Sequence, residues 1–317
     1  MNFISKIEEE LNKYPLKEIR AAYEEMSHFY RKDRDHIHFS LDSSQKRLAY
    51  IAARMPATYA AVRDVMLELN KNEGAHSCES LLDIGAGCGT ASFAACEVLE
   101  NLNKLTAIEQ NSEMVKIGKQ FAVQHPVLKN AEWISANMLA PTIEFPASDI
   151  VVLSYSLNEI PADKQEQLIL KLWSITNKYL VIIEPGTKAS FNLIHSIRNL
   201  FIQHGHSILS PCPHARSCPA YASDDLCHFS TRVQRTSFHR YLKQGELSFE
   251  DEKYSYLILS KLPKENYEAR VVRDPVKRSG FISLKLCTES GFLTKSWSKK
   301  DREQYNQFKD SQWGDKF

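Results

Sequence analysis

Three of the chain's 11 glycines fall within five residues, as Gly85, Gly87 and Gly89 of LLDIGAGCGTASF. A short apolar run precedes them, and a helix-compatible segment opens at Thr90. A strand that turns sharply into a helix needs positive φ, which glycine adopts without a Cβ penalty. The free N–H groups of the helix that follows then attract an anion or a polar ligand. A dinucleotide fingerprint would place glycine where Thr90 stands, so NAD and FAD are disfavoured. A phosphate-cradling loop of the Gly-Lys-Ser/Thr kind is absent from this turn.

The residues around the turn supply the rest of an α/β pattern. From Leu81 onward, short apolar runs alternate with amphipathic segments, the signature of strands joined by crossover helices. Strands are predicted over 81–84, 105–109, 131–135, 149–154 and 179–184, and helices over 90–101, 112–123, 162–176 and 188–203. Residues 1–72 read as helical, with Leu48, Ala52, Met55, Tyr59, Val62, Met66 and Leu69 spaced four and three apart along one face. Pro56 interrupts that stripe and predicts a kink or two abutting helices. After Phe201 the alternation stops, and Ser210–Ser230 has no period of either kind. Two β-like runs, Tyr254–Leu259 and Phe281–Cys287, precede a polar tail that reads as helix-compatible. At 317 residues the chain holds about two domains' worth of sequence. The expected division is a helical region over 1–75, a Rossmann-like core over 76–205, a Cys-rich and basic segment over 206–250, and final strands with a tail over 251–317.

A composition of 43% hydrophobic and 25% charged residues excludes a disordered or fibrous chain. No apolar run approaches the roughly 18 residues of a membrane helix, so no membrane association is expected. The opening MNFISKIEEE is too acidic for a secretory or mitochondrial address, which makes the bacterial cytoplasm the expected compartment. Nothing resembling a coiled-coil repeat calls for a dimer, so a monomer is expected. The net charge of +1 hides segregation. Glu97–Thr176 carries six Lys/Arg against ten Asp/Glu, whereas Arg198–Lys243 carries six against two and Lys261–Lys285 seven against three. Basic stretches late in an otherwise acidic chain fit a protein with one polyanion-facing side.

Seven cysteines in a chain without a secretory signal argue for reduced thiols. Cys78, Cys88 and Cys96 flank the glycine-rich turn and read as small packing residues. Cys212, Cys218 and Cys227 are separated by six and nine residues, and Cys287 follows sixty later on a predicted strand. Zinc ribbons and knuckles pair their ligands two to four apart, unlike these. Cysteine followed by proline, as at Cys212-Pro213 and Cys218-Pro219, recurs in iron–sulfur ligand runs. A loop without an apolar period is also where a metal supplies folding energy. His214 and His228 keep zinc open, and inert buried thiols are the third alternative.

The turn DIGAGCGT resembles motif I of the class I S-adenosylmethionine-dependent methyltransferases. That resemblance implies that Gly85, Ala86, Gly87 and Gly89 wrap the methionine portion of the cofactor, with Asp83 nearby. Glu109 ends the second strand, where an acidic side chain accepts both ribose hydroxyls. Asn137 and Met138 resemble the adenine-edge pair, and Tyr155 lines the same pocket. The stretches ARMPATYAAV, DIGAGCGT, SYSLNEI, IIEPGT, PCPHARSCP, LCHFSTR, DEKYSYL, KLC and the closing Trp313-Gly314-Asp315 together resemble a methyltransferase-like family of small-ribosomal-subunit assembly proteins, known from mitochondria and with bacterial relatives. The resemblance runs from about Leu48 to Asp315. It implies a class I methyltransferase (Rossmann-like) doubly wound α/β fold with a Cys-rich iron–sulfur insertion before the last strands. It further implies a structural 4Fe-4S cluster on Cys212, Cys218, Cys227 and Cys287, and binding to small-subunit ribosomal RNA in the assembling small subunit.

No catalytic residue is assigned. Amino methylation of a base uses Asn/Asp-Pro-Pro-Tyr after the fourth strand, where this chain has Ser154-Tyr155-Ser156-Leu157-Asn158. Carbon methylation of pyrimidines needs a cysteine near the ends of strands four or five, and none lies there. Tyr155 and Glu159 offer a stacking ring and a base, or simply cap the next helix and line the pocket. The expected role is therefore an assembly factor that binds ribosomal RNA, with an active rRNA methyltransferase as the alternative. Candidate phosphate contacts are Arg232, Arg235, Arg240 and Lys243, interleaved with His228, Phe229, Phe238, His239 and Tyr241. Arg270, Arg273, Lys277 and Arg278 form a second group ahead of Cys287.

Overall fold

The computed structural model describes residues 3–32, 41–264 and 266–317. In chain order the elements are α1 (Phe3–Leu11), α2 (Leu16–Lys32), α3 (Ser44–Ala53), α4 (Met55–Asn70), β1 (Ser80–Ile84), α5 (Thr90–Val98), β2 (Lys104–Glu109), α6 (Ser112–Ala122), β3 (Glu132–Ser135), β4 (Ser148–Ser154), α7 (Ala162–Ile175) and β5 (Thr176–Pro185). There follow α8 (Lys188–Gln203), β6 (Ser207–Ser210), α9 (Pro219–Ala222), β7 (Phe229–Gln234), α10 (Ser237–Lys243), β8 (Phe249–Ser260), β9 (Ala269–Val271), β10 (Val276–Arg278), β11 (Phe281–Thr288), β12 (Gly291–Ser298) and α11 (Arg302–Phe308). Residues 1, 2 and 33–40 of the predicted helical region lie outside the described residues.

The chain divides into two compact units, Met1–Asn177 with Thr231–Glu252, and Lys178–Ser230 with Lys253–Phe317. These differ from the division expected at residues 75, 205 and 250. Residues 231–252 join the first unit because α10 packs on α2 and α3, with the Arg20 guanidinium over the Tyr241 ring at 5.2 Å.

In the first unit, β3, β2, β1 and β4 lie side by side in that order, all parallel. Leu81, Leu82 and Ile84 of β1 and Ile150–Leu153 of β4 are buried, as continuous apolar runs must be when both sheet faces are covered. All seven residues of the predicted stripe on α3 and α4 are buried. Each large side chain among them contributes roughly 1.5–3 kcal/mol of transfer free energy. Pro56 sits in the first turn of α4, where its missing N–H costs nothing, and α3 abuts α4 at Arg54.

In the second unit, β8 runs antiparallel to β5 and to β6, pairing Leu257 with Ile182 and Leu259 with both Leu180 and Ile208. A separate sheet joins β9, β10 and β12 to β11. Ile282, Leu284 and Leu286 form its core with Val271, covered by Trp297, Tyr305, Phe308 and Phe317. The tail expected to be helix-compatible is therefore partly strand. β12 pairs with β11 over eight residues, and only Arg302–Phe308 is helical. Alternating parallel strands and helices, a glycine-rich turn after β1 and an antiparallel final strand make this an α/β class I methyltransferase-like fold. No helix among the described residues is long and apolar enough to cross a membrane.

Candidate functional site

The turn between β1 and α5 holds Gly85, Gly87 and Gly89 at φ of 71°, 55° and 84°. A Cβ on Gly85 would stand 2.6 Å from the Ser156 Cβ, so this position is closed to side chains on two counts. The Gly85 and Ala86 N–H groups donate to the Ile108 carbonyl at 2.9 and 3.0 Å, tying the turn to the end of β2. Glu109, the last residue of β2, accepts from the Gly87 N–H at 2.9 Å and from the Asn111 N–H at 2.7 Å. Each carboxylate oxygen keeps a further acceptor site for a ligand hydroxyl.

These residues line an open cleft of about 440 Å³, together with Tyr50, Asn137, Met138, Ser154, Tyr155 and Glu159. The Ser154 hydroxyl oxygen is buried there without a hydrogen-bond partner. An orphaned acceptor, a carboxylate at a strand end and a side-chain-free turn fit a polar ligand of the adenosylmethionine type. Asp83 is buried, and its Oδ2 accepts from the Ser92 N–H at 3.0 Å and hydroxyl at 2.7 Å. Through Oδ2 it thus anchors α5 beneath the glycine turn, while the residue also lines the cleft. Burial pushes its pKa up to about 6, against those two hydrogen bonds. Tyr155 stands at φ 56°, costly for a side-chain-bearing residue, and its hydroxyl donates to Glu252 Oε1 at 3.1 Å. Glu159 keeps an exposed side chain at the cleft wall, yet desolvation in the concavity and then the Glu109 carboxylate push its pKa up to about 7. Asn137 turns its Oδ1 to the Leu139 N–H at 2.8 Å, leaving its NH₂ donors for a ligand.

The second constellation lies within the second unit. Cys212, Cys218, Cys227 and Cys287 line one small cavity of about 20 Å³, with Pro211, Pro213, His214, Pro219, Phe229, Val272 and Phe292 around them. All four are free thiols. The Arg198 Nε–H donates to Cys212 Sγ at 3.2 Å, and His214 Nε2 lies 3.6 Å from Cys287 Sγ. Burial raises the Cys218, Cys227 and Cys287 thiols, that of Cys287 to about 12, and the neighbouring sulfurs add to it. Burial therefore disfavours bare thiolates at Cys218, Cys227 and Cys287. Among the described residues, no three His, Cys, Asp or Glu side chains gather closely enough to hold a single metal ion. Soft sulfur donors without a carboxylate in the lining suit iron–sulfur or other thiophilic centres.

A family profile described as mitochondrial small ribosomal subunit Rsm22 matches residues 44–317, which takes in both constellations. The chain belongs to the Rsm22 family. It is 26% identical over 290 residues to the human ribosome assembly protein METTL17, mitochondrial, covering 84% of this chain and 61% of that protein. It is 25% identical to the Rsm22-cox11 tandem protein 2, mitochondrial, of Schizosaccharomyces pombe, covering 85% of this chain and 43% of that protein. The chain therefore spans less than two thirds of these relatives. Among solved structures, it is similar to an O-methyltransferase family protein from Burkholderia thailandensis, at TM-score 0.48 and 12% identity over 78% of this chain and 73% of that one.

The basic residues of this Rsm22-family chain separate into two kinds. Arg235 and Lys243 both bind Glu250, at 3.0 and 2.7 Å, with His239 Nε2 3.2 Å from the same carboxylate. Arg232 pairs with Asp251 through Nε at 2.9 Å and Nη2 at 3.2 Å and lies over the Phe249 ring. Arg273 binds Asp225 at 2.5 Å and the Leu226 carbonyl at 2.8 Å. Arg270 corrects its expected role: it is 3% exposed and donates to Ser210 Oγ at 2.9 Å and the Tyr256 hydroxyl at 2.7 Å. A guanidinium so enclosed holds strands together instead of meeting a phosphate. Arg240, Lys277 and Arg278 are exposed and make no ion pair among the described residues. The sequence reading missed Tyr50 and Ser154 in the cleft and Arg198 beside the thiols, since each reaches its site only through the tertiary fold.

Proposed function

We propose that this Rsm22-family chain is a small-ribosomal-subunit assembly factor that binds ribosomal RNA. The observation carrying this reading is the family match over residues 44–317, joined by the likeness to a human ribosome assembly protein. In this reading Cys212, Cys218, Cys227 and Cys287 hold a structural 4Fe-4S cluster that ties the 211–228 loops to β11. The cluster supplies folding energy, and the family resemblance together with the common thiol-lined cavity supports it. Adenosylmethionine occupies the β1–α5 cleft, with Glu109 on its ribose and Asn137 and Met138 at its adenine.

Phosphate contact falls to Arg240, Lys277 and Arg278, which are exposed and make no ion pair among the described residues. Replacing all three by glutamine is expected to weaken binding to small-subunit rRNA. It should also flatten the slope of log affinity against log salt by roughly 0.7–0.9 per residue. Filter binding between about 50 and 200 mM salt reads this directly. An unchanged slope would move the RNA surface elsewhere, and no binding to immature small subunits at all would remove the reading.

Methyl transfer is the second reading, favoured by Glu159, whose carboxyl near neutrality suits a base. A raised pKa keeps Glu159 protonated below about pH 7 and ionised above it. The sulfonium cation of adenosylmethionine should accordingly bind more tightly as pH rises from 6 to 8, whereas the uncharged thioether product should respond less. Glu159→Gln should remove the difference in calorimetric titrations. Equal pH profiles for both ligands in the unmodified protein would show that Glu159 does not face the sulfur. Labelled methyl groups appearing on small-subunit RNA would establish the enzyme.

A further inference from the structure

Arg198 on α8 is 3% exposed. Its donors go to Cys212 Sγ at 3.2 Å, Asn199 Oδ1 at 3.1 Å, and the His214 and Arg216 carbonyls at 3.0 and 2.7 Å. None of these partners is a carboxylate. Arginine stays cationic in any protein setting, and enclosing a charge without a counter-ion costs several kcal/mol. A buried guanidinium without a carboxylate marks a place where the native negative charge comes from something else.

Arg198 itself lines the thiol cavity, and its Nε–H already points at one of the four sulfurs. One turn before it on α8, His195 stacks on Tyr221 at 3.9 Å between ring centroids, fixing the short helix that begins just after Cys218. The same helix thus grips the loops that carry two of the four sulfurs. Four thiolates on an oxidised cubane core leave the whole group net negative, so it would supply the missing charge.

We propose that Arg198 is a positioning residue that provides the buried countercharge of an anionic, four-thiolate iron–sulfur centre and donates a hydrogen bond to its Cys212 ligand. This rests on the iron–sulfur reading above. Net charge and hydrogen bonds to sulfur are the main protein controls on cluster potential.

The test compares unmodified protein, Arg198→Met and Arg198→Lys, each anaerobically reconstituted and each iron-free, by denaturant unfolding and by redox titration of the visible spectrum. Arg198→Met should destabilise the loaded protein but leave the iron-free protein unchanged or more stable, because it removes an unpaired charge there. The cluster's preference for its reduced state should weaken at least tenfold, which is 59 mV for a one-electron couple. Arg198→Lys keeps the charge and should recover most of that shift, so the proposal stays testable if the Met variant fails to fold. Equal destabilisation of loaded and iron-free protein, with an unmoved potential in both variants, would reduce Arg198 to a tie between loops and overturn the proposal. Unmodified protein that takes up neither iron nor sulfide would instead defeat the reading beneath it.

Discussion

Cys227→Ser is expected to strip the protein of bound iron and to lower its melting temperature by roughly 10 °C or more. Cys227 lines the thiol cavity, and its carbonyl accepts the Ser255 hydroxyl at 2.9 Å, so the backbone stays held after the change. Serine matches cysteine in size, which removes packing from the comparison, but its hydroxyl is a poor ligand for iron at neutral pH. Structural metal sites contribute several kcal/mol or more to folding. At about 2.1 cal/mol/K of unfolding entropy per residue, a chain of 317 residues moves its midpoint by roughly 1.5 °C per kcal/mol, so a loss of about 7 kcal/mol is enough. Cys96→Ser on α5, outside the thiol cavity, provides the control and should keep its iron. Wild-type iron and melting temperature in Cys227→Ser would end the four-cysteine assignment.

Glu109→Ala is expected to weaken adenosylmethionine binding by at least about tenfold. Glu109 does two things in the cleft: it holds the Gly87 and Asn111 N–H groups in place, and it presents acceptors to the ribose. Hydrogen bonds to a charged group contribute about 1.5–3 kcal/mol each, so losing one costs roughly 10- to 150-fold and losing two roughly 150-fold or more. Glu109→Gln, which keeps an acceptor oxygen and the shape of the side chain, should recover part of the loss. Isothermal titration reads both. Affinity equal to that of the unmodified protein in the Ala variant would take the ribose away from Glu109.

How much of this was legible in advance follows the range over which each feature is encoded. The strands β1 to β5 and helices α5 to α8 begin within a few residues of their predicted starts, because buried apolar runs and amphipathic periods are local signals. Gly85, Gly87 and Gly89 were readable for the same reason, as a turn written in consecutive residues. β12 was missed because Thr294, Lys295 and Ser296 are exposed and polar, and only their pairing with Lys285, Leu284 and Ser283 makes them a strand. Arg270 misled for the opposite reason. Its charge reads as surface, but its bonds to Ser210 and Tyr256 lie 60 and 14 residues away. The convergence of four cysteines on one cavity came from resemblance, since their spacing alone left zinc and inert thiols open.

The split course of the chain sets an order of events during synthesis. The first unit is complete only when Glu252 has been made, because Thr231–Glu252 returns to it. By then Cys212, Cys218 and Cys227 have been translated, whereas Cys287 has not. A chain truncated before β11 therefore carries three of the four cysteines of the thiol pocket, and the fourth comes only with β11. Any product that stops short of Cys287 keeps the glycine turn but never acquires the complete sulfur set.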